Sequence, residues 1–171
     1  TAIAQKYLVP KQIKANGLTK ENIGYENGVL GGVVIPTADG RGTLGHSDGD
    51  PLLHAVIDAI LGSAALGDIG KWYPDSDPKW KDADSRQLLA SLMEAPQLKG
   101  WRLGNLDCTV IAATPKLSPH ILAIRESLSQ LLKAPVERIS VKAKSDNGMS
   151  PAGQGEAIAA YVSLLAYITT P

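Results

Sequence analysis

The stretch HSDGDPLLHAVIDAILGSAALGDIGKWYPDSDP, residues 46–78, decides the reading of this chain. Its centre is a helix, PLLHAVIDAILGSAAL, from about Pro51 to Leu66. Asp50 stands where an N-cap accepts free N–H groups, and Pro51 takes the first helical position, where a missing N–H costs little. Gly67 ends the run. Asp50, His54 and Asp58 follow at i, i+4 and i+8, so they share one stripe. A histidine between carboxylates suits a metal ligand whose tautomer a carboxylate fixes. It equally suits a capping aspartate and a satisfied, half-buried histidine. Zinc at a catalytic site takes three protein ligands, and this helix supplies one imidazole.

The flanks of that helix carry the other polar clusters. His46-Ser47-Asp48-Gly49-Asp50 sets a His, a hydroxyl and two carboxylates before a helix N-terminus, which favours anions such as phosphate. The alternative is a polar turn. Residues 67–85 read as a long polar loop holding Pro74, Pro78 and Asp68, Asp75, Asp77, Asp82 and Asp84. Carboxylates there suit a hard cation or the hydroxyls of a polyol. The alternative is a solvated loop in which Asp84 caps the next helix.

Working outward, residues 1–28 are polar and irregular, with turn formers at Asn16-Gly17 and Asn27-Gly28. VLGGVVI, 29–35, reads as a strand with a close-packed Gly pair, ended by Pro36 and the turn TADGRG. Residues 43–46 are a short strand or loop. Beyond the central stretch come a helix at 85–95, a strand at 103–113, a helix at 118–134, a strand at 136–145 and an apolar helix at 156–168. The spacing predicts an α+β fold, a mixed β-sheet with helices on one face, in the order β–β–α–α–β–α–β–α. Ala112-Ala113-Thr114-Pro115-Lys116 ends a strand just before a helix. Its small residues admit a ligand to the backbone and Lys116 can meet a phosphate, or it is an ordinary turn. His120, in the first turn of a helix, reads as structural.

Composition bounds the function classes. At 171 residues one domain, 1–171, is expected. Apolar residues make up 44% and charged ones 20%, which argues against disorder. Seventeen basic residues balance seventeen acidic ones, so no electrostatic footprint points to nucleic acid or an anionic membrane. No apolar run reaches the roughly 18 residues of a membrane span. The start, TAIAQKYLVPKQ, lacks the apolar stretch of a secretory signal. Cys108 is the single cysteine, excludes an intrachain disulfide and reads as a small core residue. Trp72, Trp80 and Trp101 are too scattered to stack bases. Any chemistry needing imidazoles must draw on His46, His54 and His120.

GGVVIP, the 46–78 stretch, KDADSRQLL, LGNLDCTVIAATPKLSPHI, VKA and GQGEAIA, in this order, resemble the 2-C-methyl-D-erythritol 2,4-cyclodiphosphate synthase family. The match runs from about Gly31 to Leu165. The resemblance implies a homotrimer with its sheets around a central axis, helices outside and active sites between neighbouring subunits. It implies lyase chemistry of non-mevalonate isoprenoid biosynthesis. A cytidine diphosphate-linked methylerythritol 2-phosphate is closed to a cyclic diphosphate and CMP is expelled, with one Zn2+ and one Mg2+ or Mn2+ assisting. Residue by residue, it makes His54 a zinc ligand with Asp58 as its orienting partner. It makes His46, Asp68, Gly70 and Pro74-Asp75-Ser76-Asp77 the holders of the methylerythritol phosphate, and Ala112 to Lys116 the cytidine segment. His46, Ser145 and Lys144 are the candidate catalytic residues, Ser145 in the place of a family threonine and Lys144 a cation the family lacks.

Two departures bear on the metals. The family's opening strand carries an Asp-x-His pair of zinc ligands, and here no histidine precedes His46. One alignment puts Glu26 on that motif, with Gly28 on the histidine position. Another puts Thr19 and Lys20 or Glu21 there. At the other end Asn147 stands where the family has the Glu of the second metal, and Lys144 adds a cation. Residues 1–28 are thus the divergent segment. Three readings follow: a working synthase with an altered metal arrangement, a catalytically impaired homologue keeping the trimer and a nucleotide-ligand pocket, or a metal-independent phosphate binder using Lys144 and Lys116. The cytoplasm is the expected compartment, or a plastid-type organelle in a eukaryote.

Overall fold

A computed structural model describes residues 2–6, 28–37, 42–43 and 47–169. His46, Glu21, Glu26 and the Asn16-Gly17 turn lie outside the described residues, as does most of the 37–42 turn. In chain order the elements are β1 (Ala2–Lys6), β2 (Gly28–Leu30), β3 (Val33–Ile35), α1 (Pro51–Ser63) and α2 (Ile69–Trp72). Then follow α3 (Ser85–Met93), β4 (Trp101–Ile111), α4 (Ile121–Leu132), β5 (Ile139–Lys144) and β6 (Ala157–Ile168).

Among the described residues the main sheet has four strands in the order β1-β6-β4-β5. β6 is antiparallel to β1 and β4, and β4 is parallel to β5. The parallel pair needs a crossover, and α4 provides it. α1 packs on β6 and α4 on β5, from one side. The expected mixed sheet with helices on one face is therefore present. The core between the layers is apolar, with Leu52, Leu53, Val56, Ile57, Ile60 and Ile124 all at 0% exposure.

The final element corrects an expectation: residues 156–168 are strand, not helix. Ile158, Ala160 and Val162 point into the core, while Tyr161, Ser163 and Leu165 face outward. That alternation has period two, the mark of a half-buried strand. A mean apolar character spread over alanines and leucines hides it, and the neighbours β1 and β4 supply the ladder that propensity alone does not predict. The element order accordingly ends in β.

The 29–35 run is also corrected, from one strand to the hairpin β2–β3, with Val29 paired to Val34. Gly31 and Gly32 form its turn at φ +62° and +76°, a region that disfavours side chains. The 67–85 segment is more ordered than a plain loop, holding α2 and a 3-10 turn at Pro78–Trp80. Other boundaries shift by a few residues. The 118–134 helix opens as a 3-10 turn at Ser118–His120, and a 3-10 turn at Val136–Arg138 precedes β5. Thr43 makes an isolated bridge.

Candidate active site

Asp50 is the anchor from which the site is built. It is fully buried and caps α1, accepting from the N–H groups of Leu52 at 3.0 Å and Leu53 at 2.9 Å. The same carboxylate accepts from Gly31 N–H at 3.0 Å and Gly32 N–H at 2.7 Å. One side chain thus ties the hairpin turn to the start of the helix that carries His54. Burial pushes its carboxyl up to about 6, against the pull of those N–H groups.

His54 lies one turn into α1. Its Nε2 is 2.8 Å from Ser47 Oγ and 3.0 Å from Ser85 Oγ. Ser85 is buried at the first position of α3, and its hydroxyl and backbone N–H both donate to Asp48. Burial holds the His54 imidazole below its ordinary pKa, although the Asp48 and Asp58 carboxylates pull upward. Asp58 shares the expected stripe. Its carboxylate accepts from Ile69 N–H at 2.7 Å, pinning the start of α2. Burial raises its pKa.

His54 opens onto a cavity of about 240 Å³, lined by Ser47, Ile69, Gly70, Tyr73, Asp75, Trp80 and Leu88 as well. That is below the roughly 300–1,000 Å³ of sites enclosing a whole drug-sized ligand. Of the sequence-predicted residues, His54, Gly70 and Asp75 line it. Asp68 instead caps α2 through Lys71 N–H, and Asp77 caps the 78–80 turn through Lys79 N–H. Pro74 and Ser76 lie beside Asp75 in the same loop. Sequence reasoning missed Tyr73 and Trp80. Their rings meet edge to face at 4.9 Å between centroids. The Tyr73 hydroxyl is 2.9 Å from Leu88 O and 2.8 Å from Ser91 Oγ. Trp80 stands out once 73 and 80 are read as flanks of one turn instead of as a scatter of tryptophans.

The remaining predicted residues gather elsewhere, at the carboxyl ends of the parallel strands β4 and β5, where α/β crevices form. Ile111 pairs with Lys144, and Ala112 N–H donates to Lys144 O at 2.9 Å. Ala113 N–H donates to Ala152 O at 3.0 Å, so the loop after β5 folds back on the Ala112–Lys116 segment. Lys116, Lys144 and Ser145 are exposed there. The Ser145 hydroxyl donates to Asn147 Oδ1 at 3.2 Å. None of these residues lines the His54 cavity.

The donor set answers the metal question for the described residues. Among them no three His, Cys, Asp or Glu side chains converge. Asp48 and Asp50 are committed to serine and backbone donors, and Asp58 to Ile69. The described residues alone do not fit a zinc site: His54 would be one ligand, and the further candidates from the sequence, Glu26 or Glu21, lie outside the described residues.

A model of the YgbB family matches residues 17–167. The chain belongs to the YgbB family. Its relatives include the 2-C-methyl-D-erythritol 2,4-cyclodiphosphate synthases of Geobacter sulfurreducens, 53% identical over 80% of this chain and 86% of that protein, and of Gloeobacter violaceus, 49% identical over 80% and 83%. Among solved structures, this YgbB-family chain resembles a 2C-methyl-D-erythritol-2,4-cyclodiphosphate synthase in a form bound to CDP, with TM-score 0.78 and 30% identity over 97% of both chains. It also resembles the bifunctional IspDF of Campylobacter jejuni, with TM-score 0.82 and 31% identity over 98% of this chain. It spans 41% of that longer protein. Among the described residues no helix is long and apolar enough to cross a membrane.

Proposed function

We propose that this chain cyclises 4-diphosphocytidyl-2-C-methyl-D-erythritol 2-phosphate to 2-C-methyl-D-erythritol 2,4-cyclodiphosphate and releases CMP. The observation that carries the reading is the identity of about half to synthases over 80% of the chain, with the His54 cavity intact. An oxygen of the 2-phosphate attacks the β-phosphorus. One P–O bond forms, the β-phosphorus bond to the bridging oxygen breaks, and its electron pair leaves on CMP. The substrate brings its own nucleophile, so the protein has to align two phosphates and meet their charge.

The residues divide that work. Asp75 and Gly70, with Asp68, Pro74, Ser76 and Asp77 around them, hold the methylerythritol end at the His54 cavity. Ala112 to Lys116 hold the cytidine, where small side chains leave the backbone open. Lys144, Ser145 and His46 act on the phosphates, and Lys144 supplies charge near the position where Asn147 is neutral. No step is routed through a metal. Zinc and magnesium or manganese belong to the reading with His54 as one ligand and Glu26 or Glu21 as the candidates to complete the set.

The same reading makes the molecule a homotrimer of single-domain chains, in the cytoplasm or a plastid-type organelle. Two observations support the trimer. The sheet face away from the helices exposes Tyr161, Leu165 and Tyr167 on β6. The cytidine segment and the His54 cavity do not share a lining within one chain, so a neighbouring copy would bring them together.

The test is 31P NMR of the protein incubated with the cytidine-linked substrate and divalent metal. The expected result is CMP together with a coupled pair of ring-diphosphate signals. Unchanged substrate, from protein that still binds CDP, would support instead a homologue that keeps the pocket without turnover.

A further inference from the structure

We infer that Asp48 and Ser85 are positioning residues that hold His54 with the hydrogen on Nε2. A serine hydroxyl carries one proton. That of Ser85 is given to Asp48 Oδ1 at 2.5 Å, and Ser85 N–H donates to Asp48 Oδ2 at 3.0 Å. Both carboxylate oxygens are thereby locked on Ser85. What Ser85 Oγ can offer His54 Nε2, 3.0 Å away, is a lone pair. A bare Nε2 would set two lone pairs face to face against a fully buried serine, and no solvent would be there to relieve it. Nε2 therefore carries the hydrogen. Ser47 Oγ lies 2.8 Å from the same nitrogen.

The geometry holding Asp48 supports the assignment. Its backbone N–H donates to Ala83 O at 3.1 Å, so the 47–50 turn is stitched to the chain entering α3 at two points. Two segments 37 residues apart thus converge on one ring nitrogen.

The inference concerns the resting protein and needs no substrate, so it can fail while the synthase reading stands, and the reverse. It is tested by long-range 1H–15N correlation spectra of 15N-labelled protein, treated with a chelator, at mildly alkaline pH. The His54 signals are identified by their loss in His54→Gln. The expected pattern is a protonated, pyrrole-type Nε2. In Ser85→Ala the Ser47 hydroxyl becomes the stronger partner and can donate, so the pattern should move toward protonated Nδ1. Ser85→Thr, which keeps the hydroxyl, should restore it. A pyridine-type Nε2 in the wild-type protein would overturn the inference. So would an unchanged pattern in folded Ser85→Ala. If Ser85→Ala does not fold, the wild-type pattern alone decides.

Discussion

Asp50 shows how much one side chain organises. Its two oxygens serve four backbone N–H groups from two elements, fully buried from solvent. Asp50→Asn keeps the shape but turns an amide NH2 toward donors. The Asn oxygen can keep the cap and Gly31, so the cost should be about 1–3 kcal/mol, from the buried Gly32 N–H left facing an amide donor, read as a lower denaturant midpoint with an unchanged slope. Cys108 makes the opposite case. Burial pushes its thiol up to about 12, and the nearby Asp107 carboxylate adds to the shift. At pH 8 a fraction of roughly one in ten thousand is thiolate, so iodoacetamide should label the folded chain negligibly and the urea-unfolded chain within minutes. Rapid labelling of folded protein would place Cys108 outside the core. Both roles were legible in the sequence, because a cap and a strand-interior cysteine announce themselves by neighbours along the chain. The role of Ser85 was not. It meets His54 across 31 residues of sequence, and no local pattern encodes that meeting.

At the scale of elements, helices with a cap and a 3.6-residue repeat were legible: α1, α3 and α4 stand where the spacing puts them. β6 was not, since its alanines and leucines fit a buried helix as well as a strand until β1 and β4 claim it. The hairpin was misread because Gly31-Gly32 looks like close packing and is a turn. Gly49 is as tight a joint as Gly31, and the atom it faces is backbone. Its φ is +72°, and a Cβ there would meet Thr43 O at 2.7 Å. Gly49→Ala should therefore displace Asp48 and Asp50 together and cost about 1–3 kcal/mol. The check is a thermal melt, with His54 correlation spectra following the displaced Asp48.

The whole molecule explains why the site reads as two halves. Parallel β4 and β5 end at the Ala112–Lys116 segment and Lys144, while α1 and the turns after it build the His54 cavity. Each half was legible through its motifs, and a site between neighbouring subunits was legible only through the family resemblance, because no pattern along one chain encodes it. Leu165 is 65% exposed on the open face, between Tyr161 and Tyr167. Leu165→Asp should bury a charge in a subunit contact and reduce the mass seen by light scattering from three times 18.0 kDa to one. A wild-type monomer would remove the shared-site arrangement.

The most direct test is the rate of CMP release from 4-diphosphocytidyl-2-C-methyl-D-erythritol 2-phosphate, measured with purified protein and added zinc and magnesium. Sustained release, matched mole for mole by the cyclic diphosphate, is the predicted result. No release from folded, trimeric protein that binds CDP would contradict the assignment and leave a family member that holds the nucleotide without closing the ring.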